Sequence, residues 1–105
     1  PLLQQLNVMQ GIDTLTITGH SLGAAMVMLA CPDLLTNALP GQLNSTVQYN
    51  LAGPRAGDPG FADYNDRSSA AIYRVVNSCD LVPEVPPPVY KDLFEGTEVY
   101  QHVGI

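Results

Sequence analysis

The chain has 105 residues, 46% of them hydrophobic, with ten acidic and four basic side chains giving a net charge of −6. Such a charge repels phosphate backbones, which excludes nucleic acid as a partner class. The longest apolar run, Ala24 to Cys31, falls far short of the roughly 20 residues that a spanning helix needs, so no transmembrane segment is expected.

Leu2, Leu3, Leu6 and Met9 recur at helical spacing, and Gly11 is placed to end that helix. Asp13 to Thr18 is short and rich in β-branched residues, which predicts a strand. Gly23 to Cys31 is apolar on every side, as in a helix packed on a sheet and covered by other elements, with Pro32 expected to kink or end it. A polar turn around Leu39-Pro40-Gly41 leads to a second strand, Thr46 to Leu51, and then to a Gly/Pro-rich loop, Ala52 to Gly60. Asp58 before Pro59 reads as a helix cap, with Phe61 to Arg67 as its helix. Ala71 to Val76 is a third strand. Beyond Asn77 the chain reads as loop, stiffened at Pro86-Pro87-Pro88, with one extended stretch at Thr97 to Tyr100.

Strand, helix, strand, helix, strand is the order that makes right-handed crossovers and a parallel sheet, so a single α/β domain over residues 1–105 is expected. The opening PLLQQLNVMQ has neither an initiator Met nor a leader-like run, and the chain is expected to be part of a longer protein. Cys31 and Cys79 belong to no CxxC or Cys/His cluster, so no metal or other cofactor is expected and both read as buried free thiols.

Chemistry concentrates at Gly19-His20-Ser21-Leu22-Gly23. This G-x-S-x-G lies between a predicted strand and a predicted helix, the setting in which a strained turn presents a serine hydroxyl at the sheet's carboxyl edge. Glycines on either side would let strand and helix approach. The helix amino terminus would then aim its dipole and free N–H groups at the reaction centre, with the Leu22 N–H as half of an oxyanion hole.

A serine hydroxyl needs a base to take its proton. Of the two histidines, His20 is adjacent to Ser21 and should project from the other side of the turn, a structural position. His102 is therefore the general base by elimination. Asp58 and Asp80 both follow strands between the serine and that histidine. Asp58 already has a role as a cap, whereas Asp80 has no evident one and is the better acid, with Asp58 the runner-up. Asp63, Asp66, Asp92, Glu84, Glu95 and Glu98 read as solvated surface charges.

In chain order, GHSLGAA, AGPRAGD, VVNSCDLVPEVP and YQHVG resemble the four motif regions of the class 3, fungal-type lipase family over nearly the whole length. The resemblance implies an α/β-hydrolase fold with a mostly parallel sheet and flanking helices, and ester hydrolysis through a serine acyl-enzyme. It also implies Ser21, Asp80 and His102 as triad, with Arg55 a structural charge near the sheet end. Upstream strands, a lid helix and a second oxyanion donor belong to the family pattern and do not occur in these residues. The chain is thus expected to be the carboxyl-terminal catalytic part, a partial domain that is weakly active or inactive alone. The serine-bearing strand would then have an exposed edge.

The expected substrate is a lipid or small ester, chiefly an acylglycerol, with transient contact at a lipid interface in the longer protein. A phospholipid or galactolipid ester would suit the same triad. A non-catalytic binding module is the alternative of a different class, and the complete set of Ser21, Asp80 and His102 argues against it.

Overall fold

The computed structural model describes residues 1–9, 11–38, 44–92 and 96–104, together with all of their side chains except that of Asp92. The turn expected at Leu39-Pro40-Gly41, the surface role of Glu95 and the side chain of Asp92 lie outside the described residues. Helix α1 (Leu2–Val8) precedes strand β1 (Thr14–His20) and helix α2 (Leu22–Asn37). Strand β2 (Ser45–Leu51), helix α3 (Pro59–Asp66) and strand β3 (Ala71–Val75) follow. A 3-10 turn, Val82–Glu84, leads to strands β4 (Val89–Asp92) and β5 (Gly96–Val99).

β1, β2 and β3 form a parallel sheet in that order, as an α/β-hydrolase sheet requires, while β4 and β5 form a separate antiparallel pair. Among the described residues β1 pairs only with β2, so its outer edge is open as expected. No helix among them is long and apolar enough to cross a membrane.

Parallel neighbours in register share a face, and the glycine of the elbow sets which face is covered. Gly19 must look toward α2, because a Cβ there would fall on the Gly23 carbonyl and 2.7 Å from the Ala24 nitrogen. The register Gly19↔Asn50↔Arg74 and Ile17↔Gln48↔Ile72 therefore carries Asn50, Gln48 and Ile72 to the helix side. There Ala24 and Met28 of α2, Ala62 of α3, Ile72 and Val103 make the core. Burying a residue of methionine size contributes about 1.5–3 kcal/mol.

The consequence for β2 is a polar buried face: Thr46, Gln48 and Asn50 are inside, while Tyr49 and Leu51 are exposed. Tyr49 instead stacks on Tyr73 of β3 across the uncovered face, ring centroids 5.4 Å apart.

Several expectations are corrected. Of the two outcomes expected at Pro32, a kink or an end, the end does not occur, since α2 runs five residues further. The missing N–H of Pro32 costs the Met28 carbonyl a donor. Burial of Met28, Cys31 and Leu34 on one side of the helix outweighs that loss, and the Pro32 carbonyl accepts from Thr36 Oγ1 at 2.8 Å. Nor is α2 covered all round, since Leu22, Met26 and Leu29 are exposed.

The segment after Asn77 is more ordered than read, because Val89–Asp92 finds a partner in β5 that local pattern could not supply. Of the two cysteines, both free, only Cys31 is buried, and burial pushes its thiol pKa up; Cys79 is exposed. The Asp58 cap forms as expected, its Oδ1 accepting from Phe61 N at 2.7 Å.

Candidate active site

The sheet's own hydrogen bonding delivers the elbow. Past the end of β1, Ser21 N donates to Leu51 O at 2.9 Å, and past the end of β2, Ala52 N donates to Val75 O at 2.8 Å. On the other side of Ser21, its carbonyl accepts from Ala24 N at 3.0 Å. Held from both sides, Ser21 adopts φ 56° and ψ −124°, outside the helical and extended regions. Such a conformation in a residue with a Cβ costs on the order of 1–3 kcal/mol and persists only where the surroundings over-determine it.

α2 starts immediately after this residue. As its first residue, Leu22 has an N–H with no intrahelical acceptor. The 16-residue helix carries no acidic side chain in its first turn to neutralise the positive end of its dipole. The turn thus brings together a half-buried serine and free backbone donors. Of the two motif glycines only Gly19 is sterically required, since a Cβ on Gly23 would meet nothing within 4 Å. His20 ends β1 one residue after Gly19, on the opposite sheet face, and is exposed.

Asp80 is half-buried in the loop after β3. Contrary to expectation it has a local role: Oδ1 accepts from Val82 N at 2.9 Å, closing the turn into the 3-10 segment. Asp66 and Glu84 are also more than solvated charges. Asp66 Oδ1 accepts from Gly104 N at 2.8 Å, pinning the chain end that carries Val103, and Glu84 Oε2 lies 3.7 Å from Arg55 Nη2.

His102 is half-buried, and its Nδ1 has no hydrogen-bond partner among the described residues. Among the described residues no hydrogen bond joins Ser21, Asp80 and His102. The charged groups acting on the imidazole are Arg74 of β3, Arg55 of the loop after β2, and Glu84. Burial first, then the Arg74 and Arg55 guanidiniums, hold it below its ordinary 6.5, against smaller opposing effects of the Pro83 carbonyl and Glu84. Arg74 escaped the sequence reading, although strand period in AIYRV places it on the same side as buried Ile72. Gln48 and Asn50 escaped it too; their side chains bond each other, Nε2 to Oδ1 at 2.7 Å.

Well-formed clefts lie elsewhere, one between α2 and α3 beside Thr36 and Tyr64, another beside β5 at Phe61 and Tyr100. Neither is lined by Ser21 or His102. Elbow geometry, rather than concavity, marks Ser21 as the candidate site.

The depressed pKa of His102 makes stability depend on pH with a definite sign. The unfolded chain takes up this proton near 6.5, while the folded chain resists it to lower pH. Stability is therefore unaffected by this group above about 6.5 and declines as pH falls from there toward the lowered folded value. Urea unfolding at about pH 7.5 and about pH 5.5 should show a smaller loss for His102→Asn than for the parent. Equal losses would contradict the assignment.

Comparison with known proteins shows what this arrangement is similar to. The profile of the family described as Lipase (class 3) matches residues 2–90. That span includes Ser21, Leu22 and Asp80 and stops short of His102. A lipase of Rhizomucor miehei is 36% identical over 84 residues, which is 80% of this chain and 23% of that protein. A secreted mono- and diacylglycerol lipase of Malassezia globosa is 42% identical over 73 residues, 69% of this chain and 23% of the relative. A rice protein named phospholipase A1-II 4 is 38% identical over 82 residues, covering 76% of this chain and 21% of its own length. The chain thus spans less than a quarter of these relatives.

Proposed function

Because this chain belongs to the class 3 lipase family, we propose that it carries the nucleophile of a serine-dependent carboxylic ester hydrolase acting on acylglycerols. The single observation behind this reading is the strained Ser21 between strand and helix. Strain of that kind is retained where function uses it. Ser21 Oγ attacks the ester carbonyl, and the Leu22 N–H donates to the oxyanion. The alcohol leaves, and water hydrolyses the acyl-enzyme.

Asp80 and His102 are proposed as acid and base. For Asp80 the support is its half-buried place after β3 within the family match. For His102 it is the absence of another histidine suited to the role and a pKa that keeps the ring neutral near pH 7. In the observed arrangement Asp80 serves a turn and His102 is under the electrostatic influence of Arg74 and Arg55, so the pair has to be tested separately from the serine.

In the full-length protein a fluorophosphonate probe should label Ser21, and His102→Asn and Asp80→Asn should slow labelling by about 100-fold or more, the scale of general-base catalysis. Labelling should also fall on acidification, with its midpoint below 6.5. Undiminished labelling of His102→Asn would remove that residue from the machinery and leave the nucleophile standing. Absence of labelling would remove both. A phospholipid ester is the second reading, favoured by the similarity to the rice protein; release of fatty acid from diacylglycerol against phosphatidylcholine by the full-length protein separates the two.

A further inference from the structure

We infer that Arg55 is a positioning residue, a clamp that holds the loop carrying Asp80 against the carboxyl end of the parallel sheet. The inference deepens the reading of Asp80 as the acid and rests on it.

Arg55 belongs to the loop that leaves β2, where Ala52 is still bonded to the end of β3. Its side chain is only 11% exposed. Nη1 donates to two main-chain carbonyls of the opposing loop, Glu84 O at 2.7 Å and Pro86 O at 2.9 Å. Its own backbone N–H donates to the carbonyl between them, Val85 O, at 2.9 Å. Nη2 adds the 3.7 Å approach to Glu84 Oε2. One residue thus grips three consecutive carbonyls.

What it grips is itself internally tied. Val82 N is held by Asp80 Oδ1, Glu84 N by Leu81 O at 3.0 Å, and Val85 N by Val82 O at 3.2 Å. Residues 80–85 therefore form one turn unit, and Arg55 fastens its far end. Fixing that end fixes the carboxylate at the near end, because the intervening backbone has little freedom left. A planar guanidinium can serve divergent carbonyls while keeping a carboxylate within reach; a single ammonium on a flexible stem cannot hold the same fork. Arg55 also acts electrostatically on His102, together with Arg74, Glu84 and the Pro83 carbonyl. It therefore touches the settings of both proposed partners of Ser21.

The test compares the 105-residue chain with its Arg55→Met and Arg55→Lys variants. Amide hydrogen exchange at Val82 reads the clamp directly, and should quicken about tenfold in Arg55→Met as the turn opens more often. Proton NMR titration of His102 reads the charge. In Arg55→Met the His102 titration should move upward. Arg55→Lys should restore the His102 titration by keeping the charge, yet retain the fast Val82 exchange by losing the fork.

Unchanged Val82 exchange in Arg55→Met overturns the clamp, and so does wild-type exchange in Arg55→Lys. If Arg55→Met fails to fold, as judged by circular dichroism, Arg55→Lys alone decides. Fluorophosphonate labelling of Ser21 is followed in the full-length protein and should slow about tenfold in Arg55→Met if Asp80 is the acid. Full-length protein that takes up no probe would defeat the hydrolase reading, while the exchange data on the 105-residue chain still judge the clamp.

Discussion

Alanine at Gly19 is expected to destabilise the chain by about 3 kcal/mol or more, the upper end of what forced overpacking costs. The added carbon would fall on the Gly23 carbonyl and 2.7 Å from the Ala24 nitrogen, and both are backbone of a helix that packs in the core through Ala24 and Met28. Neither can yield without lifting α2 from β1. The loss would appear as a lower urea midpoint together with loss of Ser21 labelling, since the elbow is built from the same contact. The other motif glycine should behave in the opposite way. Alanine at Gly23 meets open space inside a helix, where exchanging glycine for alanine gains about 0.5–1 kcal/mol. Similar losses at both positions would mean that α2 does not approach β1 through Gly19.

The second large effect concerns Ser21. Removing its oxygen in Ser21→Ala should abolish probe labelling, and in the full-length protein reduce turnover by about a millionfold, the scale on which serine hydrolases lose their nucleophile. Stability should hardly change, because alanine keeps the Cβ at φ 56°. Ser21→Gly removes the same oxygen and also the steric conflict, so it should be about 1 kcal/mol more stable than Ser21→Ala. Equal stabilities for the two variants would show that the elbow stores no strain, and the central observation behind the functional reading would fall.

Much of this arrangement is legible before any coordinates. The β-branched run before Gly19, the small residues after Ser21 and the Asp58-Pro59 pair each specify their structure within a few residues, and all three form as read. Side-chain partners are another matter. Nothing around Asp80 in the sequence signals that its Oδ1 will be taken by Val82 N. Nothing near His102 signals that two arginines from other elements will hold its pKa down. Both depend on how the loops after β2 and β3 dock, and those loops are joined by contacts about thirty residues apart, such as Arg55 with Glu84.

By itself the sequence determined the order of the first three strands with their helices and the parallel sheet they form, and it marked Ser21 as the candidate nucleophile, because periodicity, capping and glycine placement act through neighbours along the chain. Only the tertiary structure decided that β2 buries Gln48 and Asn50 while exposing Tyr49, that α2 continues through Pro32, and that Cys79 stays exposed. The reason is common to the first two. Once Gly19 lets α2 settle against β1, the register of the sheet and the packing of that one helix face override the preferences of individual residues.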